Sequence, residues 1–471
     1  MNQPLAHTIL IQNGNLVLPA GVVQHDLLIQ GDTIADIREH IPFEHTASGT
    51  RVIDARDKYV LPGGIDVHTH LNLDIGIARA QDDFYTGTVA AAMGGTTTIV
   101  DHPGFGPKGC SIFHQIAQYH EYARDHAVID YAFHGVLQHL DETIIEDLPK
   151  LVGQGITSVK AYMTYDHRFT DEMLARLLKT TAAEGILVTV HAEDHDMISA
   201  NRQACVRKGQ TAPRYHAQSR PPESEANAVS RVIQLAKDSG DAPLYIVHLS
   251  TQQGLDVIRT AQAKGQPVFA ETCPQYLFLD ASSYDLPDLE GLKFIMSPPL
   301  RSRSDQSALW HGLSDGSIQV VATDHCPFDF ALKKRLAAHD FTRCPGGAPG
   351  IEARIPLMFS KAMTRQLTLE QCVKVTAENP ARIMGLYPQK GVLAQGSDAD
   401  LVIMDPDRTQ TITHDLLHEN VDYTPYEGFT LAGIPILTMV RGHIITENGQ
   451  LKATKGFGTF IKRKRCGGKI G

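Results

Sequence analysis

The stretch Tyr59–His70, YVLPGGIDVHTH, is an apolar run that ends in two histidines one residue apart. The run predicts a buried strand, and side chains alternate between the two faces of a strand, so His68 and His70 point to the same side. Two imidazoles on one face at the end of a strand can hold one metal ion. A bare His-x-His motif also occurs as a hydrogen-bonded pair, so the metal interpretation depends on ligands from elsewhere in the chain.

The composition is that of an ordinary soluble globular protein, because 42% of the 471 residues are hydrophobic and 20% are charged. This length predicts a large domain together with a smaller one. The formal net charge of −10 argues against nucleic acid or an anionic membrane surface as a partner. We expect no membrane span, since no stretch of about 18 apolar residues is present, and no signal peptide at the N-terminus.

The cysteines and histidines set two further expectations. Seven cysteines without paired spacing predict reduced thiols and therefore a cytoplasmic protein. Histidine is frequent, with 23 copies, so a histidine counts as a candidate ligand only where its position in a strand or helix supports that role.

Both ends of the chain predict short β-strands. In residues 1–58, apolar runs are separated by Asn13-Gly14 and Gly31-Asp32, dipeptides typical of turns between antiparallel strands. Residues 385–455 repeat this pattern, and residues 456–471 form a C-terminal tail. We therefore predict one β-sandwich built from both chain ends and interrupted by residues 59–384.

Residues 59–384 show a different pattern, in which apolar, β-branched runs alternate with segments of helical periodicity. The eight runs are Val60–His70, Thr96–His102, Val128–Val136, Ser158–Met163, Leu187–Glu193, Leu244–Ser250, Pro267–Thr272 and Ile318–Asp324. Eight such repeats predict an α/β fold of the (β/α)8 barrel type, with its active site at the C-terminal ends of the strands. A doubly wound open sheet is the alternative, which the lack of a glycine-rich phosphate loop after the first run disfavours.

The C-terminal ends of these runs carry residue types that bind metals. Besides the first histidine pair, the fourth run contains Lys160, the fifth His191, the sixth His248 and the eighth Asp324. A barrel would direct all of them towards one opening. Each residue alone has an ordinary structural explanation, such as a hydrogen-bonded core histidine or a helix-capping aspartate. Their agreement favours a shared site.

Imidazole and carboxylate donors suit two divalent ions, most simply Zn²⁺, with Mn²⁺ or Co²⁺ as alternatives. Four histidines and one aspartate suffice for two ions if a further group bridges them. Lys160 is the candidate bridge, because a neutral amine can take up carbon dioxide to form a carbamate with two oxygens. Burial and nearby cations lower the pKa of a lysine and favour that neutral amine.

Other residues near the strand ends have weaker claims to a chemical role. We assign structural or supporting roles to His102 and His134. Cys273 and Cys326 are alternative nucleophiles, but a thiolate beside two metals would tend to bind them instead. The basic segment Lys462–Arg465 resembles a nuclear import signal, although a solvated tail that faces a partner is the favoured interpretation.

With these residues assembled, the chain resembles the dihydropyrimidinase–hydantoinase family of cyclic amidohydrolases, and most closely its bacterial D-hydantoinase members. The resemblance covers nearly the whole chain and rests on residues 62–70, 82–88, 94–98, 271–276, 297–301, 322–326 and 396–400. It implies a barrel with a flanking β-sandwich, and two zinc ions bridged by a carboxylated lysine and a hydroxide. It also implies a homotetramer in which the tail packs on a neighbouring subunit.

The resemblance also assigns roles to individual residues. The implied metal site has His68, His70 and Asp324 on one ion, His191 and His248 on the other, and carboxylated Lys160 as the bridge. Tyr165 matches the tyrosine that stabilises the oxyanion, and Ser297 matches the serine whose backbone binds the ring amide of the substrate. Gly346 stands where relatives have an asparagine with a second backbone contact, which predicts a less firmly fixed loop here.

The implied reaction is the hydrolytic ring opening of a 5-substituted hydantoin or a dihydropyrimidine to an N-carbamoyl amino acid. In it the shared hydroxide attacks the ring carbonyl, while Asp324 accepts its proton and then protonates the departing nitrogen. The loop Leu71–Ala80 differs from that of dihydropyrimidinases and is nearer to that of phenylhydantoin-cleaving members, so the mechanism follows more directly than the substrate. The alternatives are an allantoinase and a non-catalytic scaffold, which the complete set of ligand residues disfavours.

Overall fold

The computed structural model describes residues 7–465, and its strands form three groups along the chain. The N-terminal group comprises β1 (Thr8–Leu18), β2 (Gly21–Gln30), β3 (Thr33–Arg38), β4 (Arg51–Asp54) and β5 (Tyr59–Pro62). The central group comprises β6 (Gly64–Thr69), β7 (Thr96–Asp101), β8 (Asp130–Phe133), β9 (Gly135–Val136), β10 (Ser158–Tyr162), β11 (Leu187–His191), β12 (Leu244–Ile246), β13 (Val268–Thr272) and β14 (Val320–Val321). The C-terminal group comprises β15 (Leu401–Thr411), β16 (Thr430–Val440), β17 (His443–Glu447) and β18 (Gln450–Leu451).

The α-helices among the described residues all lie between β6 and β15. They are α1 (Thr86–Met93), α2 (Ile112–Ala123), α3 (Glu142–Gly153), α4 (Asp171–Glu184), α5 (His195–Arg207), α6 (Tyr215–Ser219), α7 (Pro222–Asp238), α8 (Gln252–Ala263), α9 (Pro274–Phe278), α10 (Arg303–Asp315), α11 (Phe330–Ala337), α12 (Arg354–Met363), α13 (Leu369–Val373) and α14 (Asn379–Ile383). Strands and helices therefore alternate only in the central part of the chain, as the periodicity predicts.

The two chain ends form one nine-stranded sheet in the order β18-β17-β16-β15-β5-β1-β2-β3, with β4 paired to β1. The ends join where β5 runs antiparallel to β15 and Val60 pairs with Ile403. Side chains from both ends, among them Leu16 and Leu401, bury in one apolar cluster. The predicted separate β unit from both ends is confirmed. Tyr59–Pro62 belongs to this sheet and not to the central region.

The central strands are parallel, and their hydrogen-bonded ladders run β6-β7-β8 and β9 to β14 in chain order. Only His134 separates β8 from β9. The chain after β14 returns to β6, where Thr69 pairs with His325 and the His70 amide donates to the His325 carbonyl at 2.9 Å. Since neighbouring strands are parallel, their carboxyl ends meet on one side of the molecule.

Arg354 ties the first central strand to the last. Its fully buried guanidinium donates to the carbonyl of Ile65 in β6 at 3.1 Å and to that of Val321 in β14 at 3.0 Å. It also donates to the Thr96 hydroxyl at 3.0 Å. A buried carbonyl without a donor is costly, so these bonds favour the observed approach of β6 and β14.

The C-terminal tail packs against its own chain. The Ile461 amide donates to the Tyr131 carbonyl at 2.8 Å, beside β8. The buried guanidinium of Arg463 donates to the Phe133 carbonyl at 2.7 Å and to the Ser158 hydroxyl at 2.8 Å. Arg463 is thus buried within its own chain, whereas Lys462, Lys464 and Arg465 of the same basic segment are exposed, as expected for a solvated tail. Residues 466–471 lie outside the described part.

Two expectations from composition can be compared with the described residues. In the range 7–465, no helix has both the length and the apolar character that crossing a bilayer requires. The six cysteines in this range are free thiols, and Cys466 lies outside it.

Candidate active site

The carboxyl ends of the central strands line a cavity of about 600 Å³. Its wall contains every candidate site residue named from the sequence: His68, His70, Lys160, Tyr165, His191, His248, Ser297, Asp324 and Gly346. These residues come from β6, β10 and β11 and from the segments that follow β6, β10, β12, β13 and β14. The structure therefore brings together residues that are up to 278 positions apart (346 − 68).

Asp324 lies between the two histidines of the first strand. Its Oδ1 atom is 3.1 Å from Nε2 of His68 and 3.1 Å from Nε2 of His70. Burial by itself raises the pKa of this carboxyl group, but the two imidazoles lower that pKa well below its usual range. Asp324 is therefore ionised at neutral pH.

The other two histidines meet on the opposite side of the centre. Nε2 of His248 lies 2.9 Å from Nδ1 of His191. The His248 ring also stacks on the His68 ring, with centroids 5.4 Å apart. The four candidate imidazoles thus form one continuous group.

Two buried glutamates orient His68 and His191 from the side that faces away from the centre. Nδ1 of His68 donates to Glu271 at 2.5 Å, and Nε2 of His191 donates to Glu193 at 2.7 Å. Glu271 also accepts from the His248 amide at 3.0 Å and from the Tyr245 hydroxyl at 2.8 Å. Histidines that bind metals usually donate their second ring nitrogen to such a carboxylate.

The donor set fits a metal centre. Nε2 of His68 is buried and has no well-aligned hydrogen-bond partner, although an oxygen of Asp324 is close. Ligand atoms of His68, His70 and His102 all lie within 4.8 Å of one another. Imidazole and carboxylate groups that converge in this way are suitable ligands for a divalent first-row ion.

Lys160 is buried among these candidate ligands. Burial lowers its pKa to about 8, against the opposing effect of Asp324 and Glu271. A substantial fraction of the amine is therefore neutral near pH 8, whereas an exposed lysine is almost fully protonated there. The amine thus meets the chemical requirement for carbamate formation.

His102 and His134 stack in parallel behind the first histidine pair, with ring centroids 4.1 Å apart. The His102 ring lies 4.4 Å from the His68 ring. His134 donates from Nε2 to the Val67 carbonyl at 3.0 Å, and its Nδ1 accepts from the Ser158 hydroxyl at 2.6 Å. With these bonds His134 links β8, β6 and β10 behind the site, as a supporting residue does.

Three site residues have backbone conformations that residues other than glycine rarely adopt. The φ angles of Tyr165, His248 and Asp324 are 72°, 39° and 53°. Such conformations cost about 1–3 kcal/mol each and cluster at functional sites, where the surrounding contacts maintain them.

Lys333 fixes the loop that contains Gly346. Its buried ammonium group donates to the Gly347 carbonyl at 2.6 Å and to the Ile295 carbonyl at 3.3 Å. The adjacent Gly347 has a φ of 148°, and a Cβ there would lie 2.3 Å from the Cys326 carbonyl. The segments of Ser297 and Gly346 are therefore anchored together, in contrast to the less fixed loop that the missing asparagine predicts.

The cysteines near the site are poor nucleophiles. Burial raises the thiol pKa of both Cys273 and Cys326 well above its usual range. Both side chains therefore remain neutral thiols, which agrees with the low weight given to a thiolate mechanism.

Sequence reasoning did not identify three supporting residues, which are Glu193, Arg220 and Glu271. Glu193 stands two positions after His191 and ends the fifth apolar run. Glu271 appeared only as part of a resembling segment. A search for carboxylates that end a strand beside each candidate histidine could have found both glutamates.

Comparisons with known proteins agree with this site. A model of the Amidohydrolase family matches residues 59–445. A D-phenylhydantoinase of Escherichia coli O1:K1 / APEC is 50% identical over 461 residues, which cover 97% of this chain and 98% of that protein.

Solved structures extend the likeness. The crystal structure of dihydropyrimidinase from Brevibacillus agri NCHU1002 has a TM-score of 0.94 and 41% identity, covering 97% of this chain and 99% of that one. An L-hydantoinase (dihydropyrimidinase) from Arthrobacter aurescens has a TM-score of 0.87 and 29% identity, covering 98% and 100%.

Amidohydrolases are metal-dependent hydrolases, which agrees with the histidine-rich site. The chain belongs to this family and, within it, to the dihydropyrimidinase–hydantoinase group, as the sequence resemblance predicts.

The hydrogen bond from His68 to Glu271 leads to a prediction about metal affinity. Replacing Glu271 by glutamine removes the charge that orients His68, so we expect metal affinity to fall about 10- to 100-fold. Plasma mass spectrometry of protein equilibrated with graded chelator measures this change. Glu290→Gln, which alters a partly exposed glutamate paired with Lys293, is the matched control. Equal metal retention by the two variants would contradict the assignment.

Proposed function

We propose that this enzyme hydrolyses the ring amide of a 5-substituted hydantoin or a dihydropyrimidine to give an N-carbamoyl amino acid. The observation that carries the proposal is the convergence of four imidazoles, Asp324 and the buried Lys160 in one cavity. The names of the similar proteins, D-phenylhydantoinase and dihydropyrimidinase, support this substrate class.

The metal assignments are part of the same proposal. His68, His70 and Asp324 would hold one ion, His191 and His248 the other, and the carbamate of Lys160 would join them. Zn²⁺ is the simplest choice for these donors, with Mn²⁺ and Co²⁺ as alternatives. When bound, such a pair supplies a polarised ring carbonyl and a water molecule activated for attack near neutral pH.

Asp324 moves the proton. Because its pKa lies well below the usual range, it is a carboxylate before the reaction and can accept a proton from the attacking water. It then delivers that proton to the ring nitrogen as the carbon–nitrogen bond breaks. One carboxylate thus serves first as the base and then as the acid.

Tyr165 and the neighbouring backbone hold the substrate. Burial raises the pKa of the Tyr165 hydroxyl, so the group stays protonated and can donate to the oxyanion that forms at the carbonyl. One such donor contributes about 3–4 kcal/mol in well-studied enzymes. Backbone groups of Ser297 and Gly346, which the Lys333 anchor holds in place, would bind the ring amide.

The finer architecture belongs to this proposal as well. The pairing of Thr69 with His325 and the bonds from Arg354 support closure of the central strands into a (β/α)8 barrel within residues 64–384. The β-sandwich would take residues 7–62 and 385–455, so the chain would cross to the barrel at Gly63 and not, as the sequence predicts, at residue 59. The homotetramer rests on family resemblance alone, and the cytoplasmic location on the free thiols.

The assignment of Asp324 predicts a specific loss of catalysis. We expect Asp324→Ala to lower kcat by about 10²- to 10⁴-fold, since general acid–base catalysis typically contributes that much. Release of the N-carbamoyl product measures turnover, and thermal unfolding checks that the variant folds. Ring opening at a near-normal rate would contradict the role of Asp324.

A carbamate on Lys160 makes a spectroscopic prediction. Protein loaded with metal in the presence of ¹³C-bicarbonate should show a carbamate resonance that Lys160→Ala lacks, because Lys160 combines burial with a pKa of about 8. A Lys150→Ala variant, which removes an exposed lysine, should retain the resonance. A spectrum without a carbamate signal from the metal-loaded wild type would refute the bridge.

The substrate class is tested by a panel. We expect turnover of phenylhydantoin and dihydrouracil to exceed that of allantoin, because the loop Leu71–Ala80 lines the cavity with the apolar side chains of Leu73 and Ile75. Faster opening of allantoin would support the allantoinase alternative. Failure to open any of the three by metal-loaded protein would support a scaffold.

A further inference from the structure

Arg220 lies between the candidate oxyanion donor and a candidate metal ligand. It follows α6, and its side chain lines the cavity with 9% of its surface exposed. The carbon of its guanidinium group lies over the face of the Tyr165 ring, 5.6 Å from the ring centroid. Arg220 cannot act as a general acid or base, because a guanidinium group stays protonated.

The same guanidinium group also binds Glu193. Nη1 of Arg220 donates to Oε2 of Glu193, the oxygen that accepts from His191 at 2.7 Å. Burial would raise the pKa of the Glu193 carboxyl group, but Arg220 and then His191 lower it to about 2. Glu193 therefore remains an anion, and one continuous chain of contacts runs from Tyr165 through Arg220 and Glu193 to His191.

The backbone of Arg220 is held by a second network. Arg301 donates from Nη1 to the Arg220 carbonyl and from Nε to the Ser250 hydroxyl, the latter at 3.0 Å. Ser250 in turn donates to buried Glu225 at 2.6 Å. These bonds lie entirely within the protein and fix the backbone of Arg220, while Glu193 binds its guanidinium group, which is the arrangement of a preorganised site.

We infer that Arg220 is a positioning residue for ring opening, which holds the Tyr165 hydroxyl towards the reacting carbonyl and Glu193 against His191. The inference rests on the proposed function. Tyr165 has the unfavourable φ of 72°, so contacts with its side chain are needed to keep it in place. A planar guanidinium fork can bind two acceptors at once, whereas a lysine ammonium presents a single point charge.

Kinetics with 5-phenylhydantoin test the inference. We expect Arg220→Gln to lower kcat about 100-fold, the size of the loss of one oxyanion donor, with a much smaller change in KM. Arg220→Lys should recover only part of the loss, because a compact ammonium lacks the planar group that lies over the Tyr165 ring while it binds Glu193. If Arg220 acts through Tyr165, adding Arg220→Gln to Tyr165→Phe should cost little more than Tyr165→Phe alone.

Two further measurements separate positioning from folding. Millimolar guanidinium should restore part of the activity of Arg220→Ala, because the vacated space opens onto the cavity. The matched control is Arg259, a partly exposed arginine that pairs with Asp315 outside the cavity, and Arg259→Ala should neither lose comparable activity nor respond to guanidinium. Rescue would show that the folded site is intact even if Arg220→Gln expresses poorly.

The outcomes are distinguishable. If the wild type opens phenylhydantoin but Arg220→Gln keeps its kcat, the positioning role is overturned and the proposed function stands. The same holds if the fold losses in kcat of Arg220→Gln and Tyr165→Phe multiply in the double variant. If the metal-loaded wild type opens no cyclic amide, the proposed function fails and the inference fails with it. Non-additive losses together with guanidinium rescue establish the role.

Discussion

The site depends on pairing two buried imidazoles of the centre, His68 and His191, each with a buried carboxylate behind it. His68 and Glu271 are 203 positions apart, yet both side chains are almost completely buried and their polar atoms lie 2.5 Å apart. Neither group could stay buried and correctly oriented alone, because an unpaired buried charge costs several kcal/mol. The carboxylate gives the histidine one fixed orientation and leaves its other nitrogen facing the centre. Glu193 does the same for His191.

The candidate ligands could be predicted from the sequence because their signals are local. In the strand that ends in His68 and His70, the alternation of side chains and the metal-binding residues can both be recognised within a few positions. The parallel arrangement of the strands then places Lys160, His191 and Asp324 on the same side. The join at Gly63 was not predicted, because Tyr59–Thr69 is one apolar run in the sequence although its halves pair with different sheets. Only the strands with which each half pairs show where this run divides.

The roles of Lys333 and Arg463 could not be predicted for the same reason. Lys333 looks like one cation in an amphipathic helix, and only the fold shows that its ammonium group anchors the carbonyls of Ile295 and Gly347. Arg463 stands in a basic run typical of a solvated tail. Its partners, Phe133 and Ser158, are more than 300 positions away. Periodicity describes which face of an element is buried, but not which distant polar group meets it there.

The chain end and the site are physically continuous through these contacts. Arg463 donates to Ser158, whose hydroxyl donates to His134, and the His134 ring stacks on His102 beside His68. Ser158 also begins β10, the strand that carries Lys160. A cavity wall assembled from many separate strands needs such ties, because the ligands belong to several elements and an error of about 1 Å in the position of one of them is costly to catalysis. The tail therefore helps to hold the candidate metal centre, although it contacts none of the ligands.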